Sequence, residues 1–298
     1  MKALVTGASG FVGGTLCSLL VAEGHEVAAL VRRPGSEPAG TRAVAGDLSD
    51  GDLLRRALDE AAPDVVFHLA AEIATARREE RIHEVNVEGT RRLVEACRSD
   101  GSPRLVFAST VVTGEAHGDV LTEDRPLPVQ TPYGRSKQEG EELVLRSGLP
   151  AAVLRPSHVY GPGGWFEEDI VKRIRSPGRL AVVGRGNNMW DVVHVDDVAR
   201  ALLLAGTSDA AVGQVFHCVD DEPLTYREFM DLTADALGVA RPRSIPPFLA
   251  LLVAGPNAVA AVTRSARSSN AKLKSELGWA PRYPSAREGV PTAVAALA

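Results

Sequence analysis

The chain has 298 residues, of which 45% are hydrophobic and 24% charged, the balance of a globular protein with one large or two modest domains. Its formal net charge is -5 and both signs are interspersed, so a nucleic-acid-binding surface is not expected. The three cysteines show no CxxC or Cys/His spacing, and we therefore expect neither a disulfide framework nor a metal site.

Two further observations argue against an exported or membrane-embedded chain. The first residues, MKALVTGASG, enter a strand and a glycine turn, which leaves no room for a secretory leader. The most apolar later run, 248–262, is too short to cross a membrane and contains Gly255-Pro256-Asn257, so it predicts two helices that meet at a turn. We expect a cytoplasmic protein with no membrane partner.

Short apolar runs alternate with helical patterns through the first half of the chain. The predicted strands are Lys2–Thr6, Glu26–Val31, Ala43–Ala45, Val65–Leu69, Arg104–Ala108 and Ala152–Arg155. The predicted helices are Phe11–Glu23, Leu53–Ala62, Arg81–Ser99 and Tyr133–Ser147. Strands that are apolar on both sides and alternate with helices are typical of a parallel sheet covered on both faces. The sequence therefore predicts a doubly wound α/β fold of the Rossmann type.

The pattern changes after the glycine-rich segment GPGG at 161–164. Residues 165–180 and Leu224–Leu237 are predicted as helices, and Val192–Val195 and Gln214–Val219 as strands. We expect residues 1–162 to form a dinucleotide-binding domain, with 188–219 returning to its sheet. Residues 163–187 and 220–298 then form a smaller substrate-binding lobe.

The stretch VTGASGFVGG places Gly7, Gly10 and Gly13 between the first strand and the first helix. The first glycine permits the tight turn, the second allows close approach of a pyrophosphate, and the third lets helix and strand pack closely. The helix N-terminus, at Phe11 and Val12, offers free N–H groups and a positive dipole end to phosphates. This arrangement predicts a bound dinucleotide.

The end of the second strand bears on which dinucleotide binds. NAD-binding folds usually carry a carboxylate there for the adenine ribose, whereas this chain has Arg32 and Arg33. Two guanidiniums and no carboxylate favour binding of the 2′-phosphate of NADP(H). Arginines of a solvated loop would give the same sequence pattern, so NAD(H) stays open as the cofactor. Asp47 and Leu48, after the third strand, are expected beside the adenine ring.

The fourth strand ends in the sequence HLAA at 68–71. The small residues Ala70 and Ala71, with Leu69, would let the cofactor pass close to the backbone. We interpret His68 as a locally hydrogen-bonded core histidine rather than a catalytic one.

Tyr133 and Lys137, in TPYGRSK, are four residues apart and share one face of a helix, with Cβ atoms about 6 Å apart. This spacing is common by chance, so alone it does not distinguish a catalytic pair from an ordinary helix start.

Several motifs in order make the pair more specific. With the glycine turn, HLAA, a hydroxyl-rich strand end and YGRSK, the chain resembles the extended short-chain dehydrogenase/reductases, the NAD-dependent epimerase/dehydratase family. That family holds nucleotide-sugar epimerases and dehydratases as well as dihydroflavonol reductases and 3β-hydroxysteroid dehydrogenases, and the chain is closer to the last two. The resemblance covers nearly the whole chain, including RPSHVYGPG at 155–163, HVDDVARA at 194–201 and AKLKSELGWAPRY at 271–283.

The resemblance implies roles for particular residues. The catalytic hydroxyl of the family matches Ser109, and its Tyr-x-x-x-Lys pair matches Tyr133 and Lys137. Asn86 matches an asparagine that helps hold the active-site helix and lies with the cofactor-binding residues. Pro156 and Ser157 are expected to line the nicotinamide carboxamide.

These residue types suit a proton transfer coupled to hydride transfer. A free tyrosine has a pKa near 10, and the charges of a lysine and of an oxidised nicotinamide should lower it. Tyr133 would then exchange a proton with a substrate oxygen that Ser109 holds, while Lys137 also binds the nicotinamide ribose.

The chain departs from the sugar-nucleotide enzymes at several of the family's positions. An Asp-Glu pair follows the catalytic hydroxyl in the dehydratases, whereas Thr110-Val111 stands here and cannot remove water. His158 replaces a common Asn, and Trp190 replaces an Arg that would neutralise a diphosphate. These changes favour a less charged substrate near Thr110, His158, Trp165 and Trp190, unless Arg185 or Arg264 supplies the phosphate contact. Trp165 would equally suit core packing.

The tetrad HVDD at 194–197 is interpreted structurally. His194 ends a strand, and Asp196 or Asp197 is expected to cap the next helix rather than to bind metal.

Three functional hypotheses follow. The leading one is an NADP(H)-dependent oxidoreductase that interconverts a ketone and a secondary alcohol on a small, fairly apolar or cyclic metabolite. The second is a nucleotide-sugar epimerase or reductase that retains its cofactor, and the third a non-catalytic dinucleotide sensor. Retention of Ser109, Tyr133 and Lys137 counts against the third. The resemblance also implies a homodimer formed through the helices at 81–99 and 133–147.

Overall fold

A computed structural model describes residues 1–72, 79–99, 102–176, 178 and 180–297. The strands are β1 Lys2–Thr6, β2 Glu26–Val31, β3 Arg42–Ala45, β4 Val65–His68, β5 Arg104–Ala108, β6 Val120–Leu121, β7 Ala151–Pro156, β8 His158–Tyr160, β9 Val182–Val183, β10 Met189–Trp190, β11 Val192–His194, β12 Val215–Cys218, β13 Leu224–Thr225, β14 Ser244–Ile245 and β15 Arg267–Ser268.

The helices are α1 Phe11–Ala22, α2 Gly51–Ala61, α3 Glu79–His83, α4 Gly89–Ser99, α5 Pro132–Leu145, α6 Lys172–Ile174, α7 Val195–Thr207, α8 Tyr226–Ala236, α9 Pro247–Thr263, α10 Ala271–Leu277 and α11 Ala286–Ala295. Two π-helical turns, Glu84–Glu88 and Phe166–Val171, and one 3₁₀ turn, Asp209–Ala211, complete the helical segments of the described residues.

Seven strands form one parallel sheet in the order β3-β2-β1-β4-β5-β7-β12. The chain runs outward from β1 to β3 and then returns to the other side of β1 at β4. In such a sheet, ligands bind at the carboxyl ends of the strands where the order reverses. The predicted doubly wound Rossmann-type fold is confirmed, and the glycine turn lies at the reversal.

The strands are apolar throughout because both faces of the sheet are covered. Val5 joins a core with α1, α7 and α10, whereas the preceding Leu4 joins a second core with α2, α4 and α5. Successive strand residues point to opposite faces, so each strand supplies both cores.

A third core lies in the part of the chain predicted as a substrate lobe. It is built around the buried aromatic residues Tyr160, Phe166, Trp190, Tyr226 and Phe229. Of the segment 188–219, the strand β12 joins the main sheet, whereas β10 pairs with β13 and β11 with β8. The exact domain boundaries stay a prediction.

Several predicted elements differ from those observed. The helix predicted at 165–180 is a π-helical turn followed by α6, which ends at Ile174, and residues 177 and 179 lie outside the described part. The helix predicted from Leu224 begins at Tyr226, because Thr225 and Glu228 form a capping box. The apolar run at 248–262 forms α9, interrupted at Gly255 with φ of 80°, which confirms two helices meeting at a turn. No helix of the described chain is long and apolar enough to cross a membrane.

Candidate active site

The glycine turn brings the first strand, the first helix and the end of β4 within contact of one another. Gly7 has φ of +70°, and a Cβ on it would lie 2.7 Å from the amide nitrogen of Ala70. A Cβ on Gly13 would lie 2.1 Å from the carbonyl oxygen of Gly7. Only glycine fits at either position without moving backbone.

This turn fits the phosphates of a dinucleotide. Gly10 is the N-cap of α1, and among the described residues no side chain caps that helix and no acidic residue stands in its first turn. The first N–H groups are therefore free to bind an anion. The Phe11 ring lies against the GPGG segment at 161–164, since a Cβ on Gly164 would come within 2.6 Å of that ring. Phe11 and Val12 therefore offer their backbone N–H groups, rather than side chains, to a ligand.

Two exposed arginines stand where the adenosine ribose is expected. Arg32 and Arg33 directly follow β2, and both side chains are exposed. The Asp47 carboxylate accepts the backbone N–H of Ser49 at 2.9 Å, which is the main cause that lowers its pKa, and the charge of Arg32 lowers it slightly further. Leu48 is buried in the second core, so its side chain is committed to packing.

His68, at the end of β4, is a fully hydrogen-bonded core histidine. Its Nδ1 lies 2.7 Å from Thr6 Oγ1, which accepts the Ala70 N–H at 3.1 Å. Its Nε2 lies 2.9 Å from Thr90 Oγ1, which donates to the carbonyl of Asn86 at 2.6 Å. Since the Thr90 proton is used, Nε2 carries the imidazole proton and Nδ1 accepts from Thr6. This supports the interpretation of His68 as structural.

The burial of His68 makes the protein sensitive to acid. Burial, aided by the charge of Lys137, lowers the pKa of His68 to about 3, below its unfolded value of 6.5. The stability it contributes is therefore present above pH 6.5 and is lost as the pH falls toward 3. The test is the free energy of unfolding in urea, measured for the wild type and His68→Gln between pH 6.5 and 4.5. We expect this free energy to fall less steeply with decreasing pH in His68→Gln. The two slopes should differ by the equivalent of about one bound proton.

An exposed histidine provides the control for this measurement. His117 has φ of 52°, a conformation that asparagine tolerates, so His117→Asn should keep the wild-type slope. Equal slopes for His68→Gln and the wild type would contradict a neutral, buried His68.

Asn86 connects this part of the site to the helix that carries Tyr133. It lies in the π-helical turn Glu84–Glu88, a distortion frequent at functional sites. Its Oδ1 accepts the Glu72 N–H at 2.7 Å, and its Nδ2 donates to Glu72 O at 3.0 Å and to Ser136 Oγ at 2.9 Å. Ser136 in turn donates to the carbonyl of Tyr133 at 2.8 Å. Both amide protons of Asn86 thus position the chain, and a direct cofactor contact stays a prediction.

Ser109 directly follows β5, at the carboxyl edge of the sheet. Its backbone N–H donates to Leu154 O at 2.7 Å, while its hydroxyl, on a side chain only 5% exposed, has no partner among the described residues. The neighbouring Thr110 hydroxyl instead donates to Pro156 O at 3.2 Å and accepts the Val112 N–H at 2.9 Å. Ser109 is therefore free to hold a ligand oxygen, and Thr110 ties β5 to β7.

Helix α5 places Tyr133 and Lys137 beside this edge. Thr131 caps the helix, and Pro132 stands in its first turn. The Lys137 ammonium lies 4.1 Å from the ring centroid of Phe107 in β5, and a Cβ on Gly140 would lie 2.7 Å from the same ring. The helix therefore packs directly on β5, the strand that Ser109 follows.

The pKa values of this pair differ from the expectation that Lys137 lowers the pKa of Tyr133. Burial raises the pKa of the Tyr133 phenol to about 12 and lowers that of the Lys137 ammonium to about 7, partly offset by Glu141. In the chain alone, the removal of each group from water is the main cause of both shifts. At neutral pH the phenol keeps its proton.

A buried ion pair secures the same helix to the next strand. Glu141 accepts two bonds from Arg155 of β7, at 2.8 Å from Nε and 2.6 Å from Nη2. Glu141 lies one turn after Lys137, so its charge also supports the ammonium form of that lysine.

The end of β7 continues the site toward an aromatic wall. Pro156 ends the strand, and the Ser157 hydroxyl is buried with no partner in the described chain. His158 stacks on Trp190 with ring centroids 3.8 Å apart, and its Nδ1 lies 2.9 Å from Asp191 O. Trp165 meets the His158 ring edge-on at 6.3 Å and donates its Nε1–H to Val159 O at 2.6 Å. Three of the predicted substrate residues, His158, Trp165 and Trp190, therefore form one cluster of rings, the aromatic wall.

The HVDD segment is structural, but its cap differs from the prediction. His194 itself caps α7, accepting the Asp196 N–H at 3.2 Å. Asp197 instead accepts the N–H groups of Arg282 and Tyr283 at 2.6 and 3.0 Å and so holds the C-terminal segment. Within the described residues, no group of three or more His, Cys, Asp or Glu side chains is placed to hold a metal.

Sequence reasoning missed three supporting residues of this site: Ser136, Thr90 and Glu141. Ser136 stands three residues after Tyr133, and Glu141 stands four residues after Lys137. Helical spacing would therefore have placed both on the buried face of α5. Thr90 gave no comparable signal.

Comparisons with known proteins agree with the fold and identify a family. The model of the NAD dependent epimerase/dehydratase family matches residues 3–218. A 3-diazoavenalumate denitrifying reductase of a Streptomyces species is 34% identical over 97% of this chain and 99% of its own length. A 2-alkyl-3-oxoalkanoate reductase of Stenotrophomonas maltophilia is 34% identical over 81% of this chain and 77% of its own. The UDP-glucose 4-epimerase of Thermus thermophilus, solved with NAD, has a TM-score of 0.84 and 30% identity, covering 100% of this chain and 99% of that one.

Proposed function

The chain belongs to the NAD-dependent epimerase/dehydratase family of extended short-chain dehydrogenase/reductases, and we propose that it is a reductase that converts a ketone of a small metabolite to a secondary alcohol. As a member of that family it is an NAD(P)-dependent oxidoreductase. The observation that carries the proposal is the buried, unpartnered Ser109 hydroxyl directly after β5, the strand on which the helix that bears Tyr133 and Lys137 packs. Thr110-Val111 stands where a dehydratase needs two acids. The two relatives above, both named reductases, support it further.

A reduced nicotinamide, when bound, supplies the hydride that adds to the carbonyl carbon. The chain supplies the proton: the Oη–H bond of Tyr133 breaks as the carbonyl oxygen gains that proton. Because burial raises the pKa of Tyr133 to about 12, the phenol is in the donor form at neutral pH. The unpartnered Ser109 hydroxyl donates a hydrogen bond to the same oxygen, and solvent later returns a proton to Tyr133.

A nucleotide-sugar epimerase is the second candidate, favoured by the fold shared with UDP-glucose 4-epimerase. Trp190 counts against it. Its side chain is 4% exposed and stacked on His158, so a bulky indole occupies the position where the resemblance leads us to expect an arginine for a diphosphate.

One assay separates the two candidates. Ketones, 3-oxo acids and their esters are incubated with NADPH or NADH, and consumption of reduced cofactor is followed by absorbance, with UDP-glucose and other sugar nucleotides as a parallel panel. Reduction of at least one ketone without conversion of any sugar nucleotide supports the reductase. Interconversion of UDP-glucose and UDP-galactose without net cofactor consumption would establish the epimerase instead.

We also propose that NADP(H) is the preferred cofactor, because Arg32 and Arg33 are exposed beside the expected adenosine ribose and pair with no carboxylate within 4.0 Å among the described residues. NADPH should bind at least about tenfold more tightly than NADH, the effect of one charge-assisted contact to a phosphate. Arg32→Ala with Arg33→Ala should remove that difference while leaving NADH affinity unchanged, as measured by fluorescence titration. Equal affinity of the wild type for both cofactors would overturn the preference.

A cytoplasmic location and a homodimer formed through the helices at 81–99 and 133–147 stay predictions.

A further inference from the structure

Arg264 lies between the aromatic wall and the loop that follows Ser109. Asn188 Nδ2 donates to the carbonyl of Arg264 at 2.8 Å, and the Ala266 N–H donates to Met189 O at 3.2 Å, beside Trp190. On the other side, the Ser265 N–H donates to Glu115 Oε2 at 2.7 Å. These bonds hold the backbone of Arg264 next to both sides of the candidate active site.

The charge of Arg264 lacks the partner that comparable arginines have. Within the described chain, five arginine side chains are half-buried, and four of them pair with a carboxylate. The pairs are Arg92–Glu84 at 2.9 Å, Arg104–Asp209 at 2.5 Å, Arg155–Glu141 at 2.6 Å and Arg227–Asp231 at 3.1 Å. Arg264 is the fifth, and no described carboxylate lies within 4.0 Å of its guanidinium. A half-buried charge without a counter-charge is costly unless a ligand supplies one.

The acids nearest to Arg264 do not serve as that counter-charge. Asp191 and Glu115 attract the guanidinium only from beyond ion-pair distance. The Glu115 carboxylate already accepts the N–H groups of Ser265 and His117. Burial raises the pKa of Asp191 to about 7, which weakens its charge at neutral pH.

The field of Arg264 reaches the substrate side of the site. Burial and, next, the charge of Arg264 lower the pKa of His158 to about 3, so His158 is neutral and adds no second cation. The guanidinium is therefore the positive charge that an anionic ligand would meet at this wall.

Two buried donors beside the Arg264 segment also lack acceptors in the described residues, and Asp191 Oδ2, an acceptor next to Trp190, lacks a donor there. The Thr113 hydroxyl and the Trp190 Nε1–H, on side chains 2% and 4% exposed, have no partner in the described residues. Thr113 lies two residues before Glu115, and Trp190 forms an isolated bridge to Ala266, so both flank the Arg264 segment. A ligand that satisfies donors on both sides of a guanidinium carries oxygen atoms and a negative charge.

We propose that Arg264 binds a carboxylate of the substrate, so that the ketone reduced at Ser109 and Tyr133 belongs to an oxo acid. The proposal rests on the proposed reductase function and names its substrate class. The aromatic wall of His158, Trp165 and Trp190 then contacts the carbon skeleton of that acid.

The test compares an acid with its neutral ester. Wild type and Arg264→Met are assayed with 3-oxo-3-phenylpropanoate and its methyl ester, both reducible at the same carbonyl. We expect the wild type to prefer the acid, and Arg264→Met to raise KM for the acid by about 10- to 100-fold, the worth of a charge-assisted bond, with little change for the ester. Arg264→Lys should recover part of the loss. Arg243→Met, at an exposed arginine of the same lobe, is the matched control and should keep the wild-type values.

A binding measurement provides a readout that does not depend on turnover. Affinities for 3-phenylpropanoate and 3-phenylpropanamide are measured by tryptophan fluorescence with oxidised cofactor present, and thermal unfolding checks that each variant is folded. Loss of acid binding in Arg264→Met, with amide binding kept, supports the proposal. If the wild type reduces acid and ester equally well, and Arg264→Met has the same KM values, the proposed oxo-acid substrate is wrong. The proposed reductase function would still hold. Failure to reduce either, with conversion of a sugar nucleotide, would overturn the proposed function itself.

Discussion

Replacement of Tyr133 by phenylalanine is expected to lower kcat for ketone reduction by about 100- to 10,000-fold, the usual contribution of a positioned general acid. The change removes only the Oη–H group, so the carbonyl oxygen loses its proton donor while the ring still packs at the start of α5. The Ser136 bond to the Tyr133 carbonyl uses backbone and survives the substitution. Cofactor affinity should therefore stay within about twofold of the wild type, since binding and proton transfer use different groups.

Tyr283→Phe is the matched control for this prediction. Tyr283 is half-buried against His194, with ring centroids 4.3 Å apart, in the C-terminal segment that Asp197 holds. Removal of the Tyr283 hydroxyl should leave kcat close to the wild-type value. A Tyr133→Phe enzyme that keeps more than a tenth of the turnover would assign the proton to another donor.

Replacement of Gly13 by alanine is expected to abolish dinucleotide binding, whereas the same change at Gly14 should be harmless. A Cβ at position 13 would meet the Gly7 carbonyl oxygen at 2.1 Å and the Ala8 Cα at 3.0 Å, both backbone atoms that no rotamer change can move. The turn must open, at a cost of about 3 kcal/mol or more, which corresponds to at least about a 100-fold loss of cofactor affinity if the cost appears in binding.

Gly14 provides an unusually close comparison, one residue further along the same helix. A Cβ there would have its nearest neighbour outside the local helix, Ala8 O, at 3.6 Å, an ordinary contact. Alanine in a helix interior then stabilises by about 0.5–1 kcal/mol relative to glycine. Urea unfolding and cofactor titration of both variants check the pair, and similar losses in Gly13→Ala and Gly14→Ala would contradict the steric argument.

The parts of the fold that sequence predicted well are those with a strong local signal. The sheet strands Lys2–Thr6, Glu26–Val31 and Arg104–Ala108 match the observed bounds because each is a continuous apolar run between turns. The two-residue strands, such as Met189–Trp190, have no periodicity to detect, and their pairing depends on residues far along the chain. Tyr226 starts its helix because of a cap that the apolar pattern does not reveal.

The candidate site divides in the same way. Its glycines, Ser109 and the Tyr133–Lys137 pair stand in recognisable local patterns. The hydrogen bonds that position these residues have no local pattern in the sequence. Thr6 bonds to His68 across 62 residues, and Asn86 bonds to Ser136 across 50. Neither partner of such a pair carries information about the other in the linear sequence. The missing ion pair of Arg264 is equally invisible, since it depends on which carboxylates lie nearby in space.

The hydrogen-bond series Thr6, His68, Thr90, Asn86, Ser136 and the Tyr133 carbonyl restricts how this protein can be recombined with its relatives. A chimaera joined at any point between residues 7 and 135 takes some members of the series from one parent and some from the other. A junction placed after Leu145, where α5 ends, inherits all six together and still exchanges the segments predicted to form the substrate-binding lobe. Swaps of substrate preference between homologues should therefore be built at that junction.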